Sequence, residues 1–289
     1  MKNIKQLAFG IYERMDEHSL SLIAAGVAFY AFLSIFPAIA ACISVYGLVA
    51  DPQSVQSQVQ NFSGFLPPEV IDLIKSRMKD LANNQEKSLT MGLIFGVLVS
   101  IWSANKAMKA VAQGLNVAFE KEEDRGFIKK NLITLSLTLI SSIVVIIVAS
   151  VTVALPLLIN YFLSSEAFEW LAKILSWLVL ALLLLGLCLV LYRYAPARDK
   201  KPKLKDSMPG AIFTTIAILI GSIIFSVYVA NFGKYEEEYG AIAGVVVTLL
   251  WLFLSSFLFL LGAEFNGESG ELVKTQRALS HETKTEVHS

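Results

Sequence analysis

Tyr239 to Ala263 reads YGAIAGVVVTLLWLFLSSFLFLLGA, 25 residues without a charge, and Glu264 and Asn266 follow at its end. At 1.5 Å per residue, a helix needs about 20 apolar residues to cross a hydrocarbon core of about 30 Å. A buried helix of a soluble protein rarely carries an uncharged surface of that length on every side. The run therefore predicts a bilayer as the solvent, and it raises the question of what Glu264 does where the run stops.

Five further segments qualify as spans: Leu20 to Ala50, Leu89 to about Ala104, Leu132 to Leu163, Trp170 to Tyr194 and Ala211 to Ala230. The second is the shortest, because Asn105 and Lys106 arrive after one bilayer's worth of helix. The expected fold is all-α: a polytopic membrane bundle of six transmembrane helices over residues 20–266, with amphipathic surface helices in addition. Residues 1–19 form a cytoplasmic amphipathic segment, and 267–289 a polar, mobile tail. Pro37 and Pro156 stand inside the long first and third spans. Proline lacks the amide donor and crowds the preceding turn, so both helices are expected to kink there.

Of the Lys and Arg residues, 18 lie in the amino-terminal segment, after spans two and four, and in the tail; 6 lie on the other side. Basic residues mark the cytoplasmic face, so both termini are expected to be cytoplasmic. Lys plus Arg equals Asp plus Glu at 24 each, which removes the basic excess of a nucleic-acid binder. Only 17% of residues are charged, below the soluble norm of about 25%. The amino terminus carries charges throughout and has no cleavable signal pattern. Cys42 and Cys188 sit in apolar runs, and His18, His281 and His288 are scattered, so neither a disulfide framework nor a metal site is expected, and no cofactor.

The external loop Asp51 to Ser88 holds EVIDLIKSRMKDLA after Pro67 and Pro68, with Val70, Ile71, Ile74, Met78 and Leu81 at helical spacing. That pattern predicts a helix on the membrane surface or over the bundle mouth. The acidic run Glu236 to Glu238, between Tyr235 and Tyr239, reads as a solvated external loop with tyrosines at headgroup depth. Gly92 with Gly96 and Gly240 with Gly244 are GxxxG pairs, signals of close helix packing.

The stretch WSANKAMKAVAQGLNVAFEKEE, from Trp102, places Asn105, Lys106, Lys109, Gln113 and Asn116 on one helix face and Met108, Val111, Leu115 and Phe119 on the other. Two readings stay open. The helix leaves the membrane along its inner surface with Lys106 snorkelling to the headgroups, or the polar stripe lines a water-filled vestibule. For Glu264 two readings also stay open: it pairs with Lys106 or Lys109 across the inner mouth, beside Asn105, Asn116 and Asn266, or the two are independent interfacial charges.

These stretches also carry a resemblance. AAGVAFYAFLSIFP (24–37), WSANKAMKA (102–110), RGFIKK (125–130), YRYAP (192–196), PGAIF (209–213) and the final run through GAEFN are similar to the YihY/BrkB family of bacterial inner-membrane proteins, whose early members were labelled ribonuclease BN. The similarity runs almost end to end. It implies a six-span helical bundle of undefined activity, with transport or envelope maintenance the usual suggestions, and it marks Asn105, Lys106, Asn116, Tyr239, Glu264 and Asn266 as motif positions. Asn105 and Lys106 stand where the family often has Ser or Thr before Arg, which keeps the charge but loses the planar fork. Phe119 replaces a common Tyr.

Three functions follow as expectations. A transporter or lipid-handling protein would use the polar positions as a cavity; a scaffold would organise envelope machinery through its loop and tail. A nuclease would need clustered acid, base or metal-binding groups, which the scattered histidines and carboxylates do not supply, so no enzyme is expected. The expected partners are membrane lipids and a possible second copy of the chain, not nucleic acid.

Overall fold

The computed structural model describes residues 2–49, 86–162, 166–198, 202–230 and 241–286. All regular structure among them is helical: α1 (Lys2–Glu17), α2 (Leu20–Val49), α3 (Glu86–Ala118), α4 (Phe127–Phe162), α5 (Glu166–Tyr194), α6 (Leu204–Ala230) and α7 (Ala241–Glu286). The predicted surface helix within 51–88, the acidic run and Tyr239 lie outside the described residues.

Among the described residues, five helices carry stretches long and apolar enough to cross a membrane: Leu20–Pro37, Phe127–Val148, Ile174–Tyr194, Leu204–Ala230 and Ile242–Ser269. Their large side chains point outward, as in a protein dissolved in lipid. Ile143, Ile146, Leu178, Leu182, Ile216, Ile220 and Ile224 are all exposed. In water such a surface would be a severe aggregation liability. α7 does not stop at Asn266, where the polar tail was expected to begin, but continues as helix to Glu286.

The helix ends follow local chemistry. Ser19, at φ 49°, separates α1 from α2, and its carbonyl accepts the amides of Leu22 and Ile23. α3 closes in a Schellman motif. The Lys121 amide reaches back to the Asn116 carbonyl and the Glu120 amide to that of Val117, with Glu120 at φ 50° in the position glycine usually takes. At the start of α6, Asp206 accepts the Lys203 amide through its side chain and so satisfies a terminal donor. Pro37 lies inside α2 and Pro209 inside α6.

The chain divides into two compact units. Residues 26–107 and 223–254 form one of them, in which Phe225 packs on Trp251 and on Tyr228, and Phe32 packs edge-on against Phe36. Residues 1–25, 108–222 and 255–289 form the other, whose core includes Leu20, Ala24, Leu115, Tyr192, Leu260 and Ala263. Here α4 and α5 pack against each other. Gly114 admits Ile23 and Leu260 so closely that a Cβ would lie 2.8 and 2.9 Å from them, which brings α2, α3 and α7 together.

Candidate functional site

The polar groups of residues 1–25, 108–222 and 255–289 gather around the segment of α7 that follows its apolar run. Glu264 is fully buried, at 0% exposure. Its Oε2 accepts from Arg14 Nε at 3.0 Å, and its Oε1 lies 2.7 Å from His18 Nδ1. With the carboxylate as acceptor, the His18 hydrogen sits on Nδ1. Both partners come from α1 and the turn after it.

Arg14 is itself 8% exposed and uses its whole fork. Nη2 donates to the Ala118 carbonyl at 3.1 Å, Nη1 lies 2.8 Å from Glu120 Oε1, and the Glu268 carboxylate is 4.0 Å away. The Ala118 carbonyl is one of those a helix leaves unpaired at its C-terminus, where a cation also meets the negative end of the helix dipole. The left-handed backbone at Glu120 turns the chain there, and the Glu120 side chain meets Arg14. α1, α3 and α7 are thereby joined through one guanidinium.

A second cluster lies beyond the end of α3. Arg125 grips Glu123 with Nε and Nη2 at 2.6 and 2.7 Å, and Lys130 approaches to 3.7 Å. The Arg125 fork beside it, more than any other group, holds the Glu123 carboxyl below its ordinary 4.5. Asn116, buried, donates to Glu123 at 3.2 Å and accepts the Ala197 amide at 2.7 Å, while Arg125 Nη2 donates to the Ala195 carbonyl at 3.0 Å. The turn after α5 is therefore fastened on both sides of Pro196.

Asn266 completes the arrangement. Its Oδ1 accepts the Gly210 amide at 2.7 Å and its Nδ2 donates to the Ser207 carbonyl at 3.1 Å, the backbone groups on either side of Pro209. One turn below, the Tyr192 hydroxyl donates to the Phe259 carbonyl at 2.5 Å and lies 2.7 Å from Thr214 Oγ1. Gly210 and Gly262 make this contact possible. A Cβ on Gly262 would collide with Thr214 Oγ1 and come within 2.7 Å of the Tyr192 hydroxyl.

Of the motif positions, Asn116, Glu264 and Asn266 each bond a different helix or turn. Asn105 and Lys106 belong to the other compact unit, where Lys106 is exposed with its Nζ 4.1 Å from the centre of the Trp102 ring. Lys109 is half-buried. Phe119 supplies an aromatic face in place of a hydroxyl: Tyr192 packs edge-on against it and the Arg198 guanidinium lies 4.0 Å from its centre. The sequence did not single out Arg14 and His18, although together they engage both oxygens of Glu264. Among the described residues no group of three or more His, Cys, Asp or Glu side chains is placed to hold a metal ion.

Residues 11–286 match the family described as virulence factor BrkB. A ribonuclease-like protein of Bacillus subtilis (strain 168), YfkH, is 32% identical over 264 residues, covering 89% of this chain and 92% of its own. A UPF0761 membrane protein of Alteromonas mediterranea is 29% identical over 283 residues, covering 93% and 90%. Another from Tolumonas auensis is 26% identical over 266 residues, covering 90% and 84%. No solved structure matches the chain. With apolar helices of spanning length and a match over nearly its whole length, this chain belongs to the BrkB family of integral membrane proteins.

Proposed function

We propose that the protein is an inner-membrane transporter or lipid- and amphiphile-handling protein, with both termini cytoplasmic. The proposal includes a sixth span over residues 89–104 within α3, and bends at Pro37 and Pro156. The observation that carries it is Glu264, a carboxylate with no exposed surface at the end of the last span, shared between Arg14 and His18. Bringing charges out of water costs several kcal/mol per ion, and an apolar cluster of similar volume is often at least as stable. Ionisable groups at such depth belong more often to solute or proton pathways than to packing.

Lys106, Lys109, Asn105 and Tyr239 remain candidate contacts for the solute, with Asn116 and Asn266 as supports for the helix ends. Proteoliposomes containing the wild type, Glu264→Gln or Lys106→Ala would test this reading, with movement of a fluorescent phospholipid and of protons as the two readouts. The wild type is expected to exceed empty vesicles in at least one, with Glu264→Gln slower by roughly tenfold, the loss of one charged hydrogen bond. Rates equal to empty vesicles in both would overturn it.

A scaffold is the second reading. The polar groups around Glu264 satisfy one another, as a structural clamp would, and a stable partner cross-linked to the 51–88 loop, with no flux, would favour it. The name of the Bacillus subtilis relative raises nuclease chemistry. Glu264 and His18 are already held by each other and by Arg14, so we assign them no catalytic role; nuclease activity in purified protein that vanished with Glu264→Gln would reverse that.

A further inference from the structure

The last turn of α5 and the turn after it carry two guanidiniums, Arg193 and Arg198, that have no carboxylate partner among the described residues. Arg14 and Arg125 each have a carboxylate partner. Arg193 and Arg198 do not, and the Nε of each is enclosed without a hydrogen-bond acceptor. Each instead faces an aromatic ring: Arg198 lies 4.0 Å from the centre of Phe119, and Arg193 lies 5.5 Å from that of Tyr194. A stacked ring leaves the in-plane N–H groups of a guanidinium unsatisfied, and withdrawing them from water without an acceptor is costly. Burial also pulls the Arg198 guanidinium below its ordinary value.

The backbone between them is held in place. The Ala195 amide bonds the Leu191 carbonyl, its own carbonyl accepts from Arg125, and the Ala197 amide is held by Asn116. Ala195 and Ala197 are buried. The apolar stretch of α5 ends at Tyr194, so the turn lies at headgroup depth in a bilayer.

We propose that the Arg193–Arg198 turn binds a phosphate-type anion, either the headgroup of an anionic lipid or a soluble phosphate. Arginine suits that ligand because its planar fork matches two phosphate oxygens at once. A turn fastened beforehand loses little freedom on binding. The site stands whether or not the protein moves a solute.

The test uses the full chain in neutral detergent. Native mass spectrometry follows retention of a short-chain phosphatidylglycerol against phosphatidylcholine, and thermal unfolding is recorded with inorganic phosphate against chloride at equal ionic strength. Retention or stabilisation is expected to fall roughly tenfold in apparent affinity in Arg198→Gln, and further in the Arg193→Gln/Arg198→Gln pair. Lys203→Gln, an exposed neighbour, is expected to behave as the wild type. Phosphatidylglycerol retained without a phosphate response assigns a lipid headgroup; a phosphate response without lipid preference assigns a soluble anion. Equal affinity in wild type and double variant, or an equal loss in Lys203→Gln, overturns the site. Should the Gln variants fail to fold, Arg198→Lys keeps charge and bulk, and is expected to weaken binding by losing the fork; unchanged binding there, or a wild type indifferent to both ligands, also overturns it.

Discussion

Glu264 and Glu123 each hold an arginine, but they join very different parts of the chain. Arg14 and Glu264 are 250 residues apart and the carboxylate has no exposed surface. Arg125 and Glu123 are two residues apart, in a connection between helices, with Glu123 and Lys130 partly exposed. The first cluster decides whether α1, α3 and α7 stay together; the second shapes one loop and the turn it grips. The same ionic chemistry thus serves tertiary closure in one place and local order in the other, and solvent access sets how much each is worth.

The comparison would break most visibly at Arg14. Arg14→Leu leaves the buried Glu264 carboxylate with His18 alone and is expected to cost about 3–5 kcal/mol. Arg14→Leu combined with Glu264→Leu should recover much of that loss, and a thermal unfolding cycle in detergent would show it; additive losses would mean that the two charges do not act as a pair. Gly262→Ala comes next. Its methyl meets Thr214 and the Tyr192 hydroxyl, so about 1–3 kcal/mol of overpacking is expected in the same assay. Asn266→Ala leaves the Gly210 amide and the Ser207 carbonyl without their side-chain partner, for a loss of about 1–3 kcal/mol and faster hydrogen exchange at the start of α6.

The smallest effect belongs to the local cluster. Glu123→Gln is expected to cost about 1 kcal/mol, nearer to an exposed pair than to a buried one. Its pH dependence has a definite sign. The folded protein holds this carboxyl below 4.5, so its contribution is complete above that value and fades as pH falls through the lower folded value. Hydrogen exchange in residues 121–126 should therefore accelerate on acidification below pH 4.5 in the wild type, once corrected for the intrinsic rate, and less so in Glu123→Gln.

The spanning helices were legible because hydrophobic length is a local property, and Glu264 and Asn266 because they interrupt it. Arg14 and His18 were not. His18 has no carboxylate at ligand spacing nearby in sequence, and its partner lies 246 residues away. A usable signal existed all the same: a carboxylate at the end of an apolar span needs a counter-charge, and Arg14 sits in the turn before the first span. Asn116 was read as part of a polar stripe with Asn105 and Lys106, yet it serves the Ala197 turn instead, because helical periodicity gives a face and not the neighbour opposite. The continuation of α7 to Glu286 was hidden by composition, since its last turns have few apolar residues to mark them.

The separation of Arg14 from Glu264 also has a consequence for how the protein is made. α1 emerges early and α7 last, so at about 5–20 residues per second the arginine waits on the order of tens of seconds for its carboxylate. For the later part of that interval Arg14 has the Ala118 carbonyl and Glu120 within the chain already made, while the place of Glu264 beside it and His18 is left to water, headgroups or the insertion machinery. The cluster around Glu264 is therefore a completion lock, which closes only on a chain whose last span has been inserted, and a truncated product would leave it open.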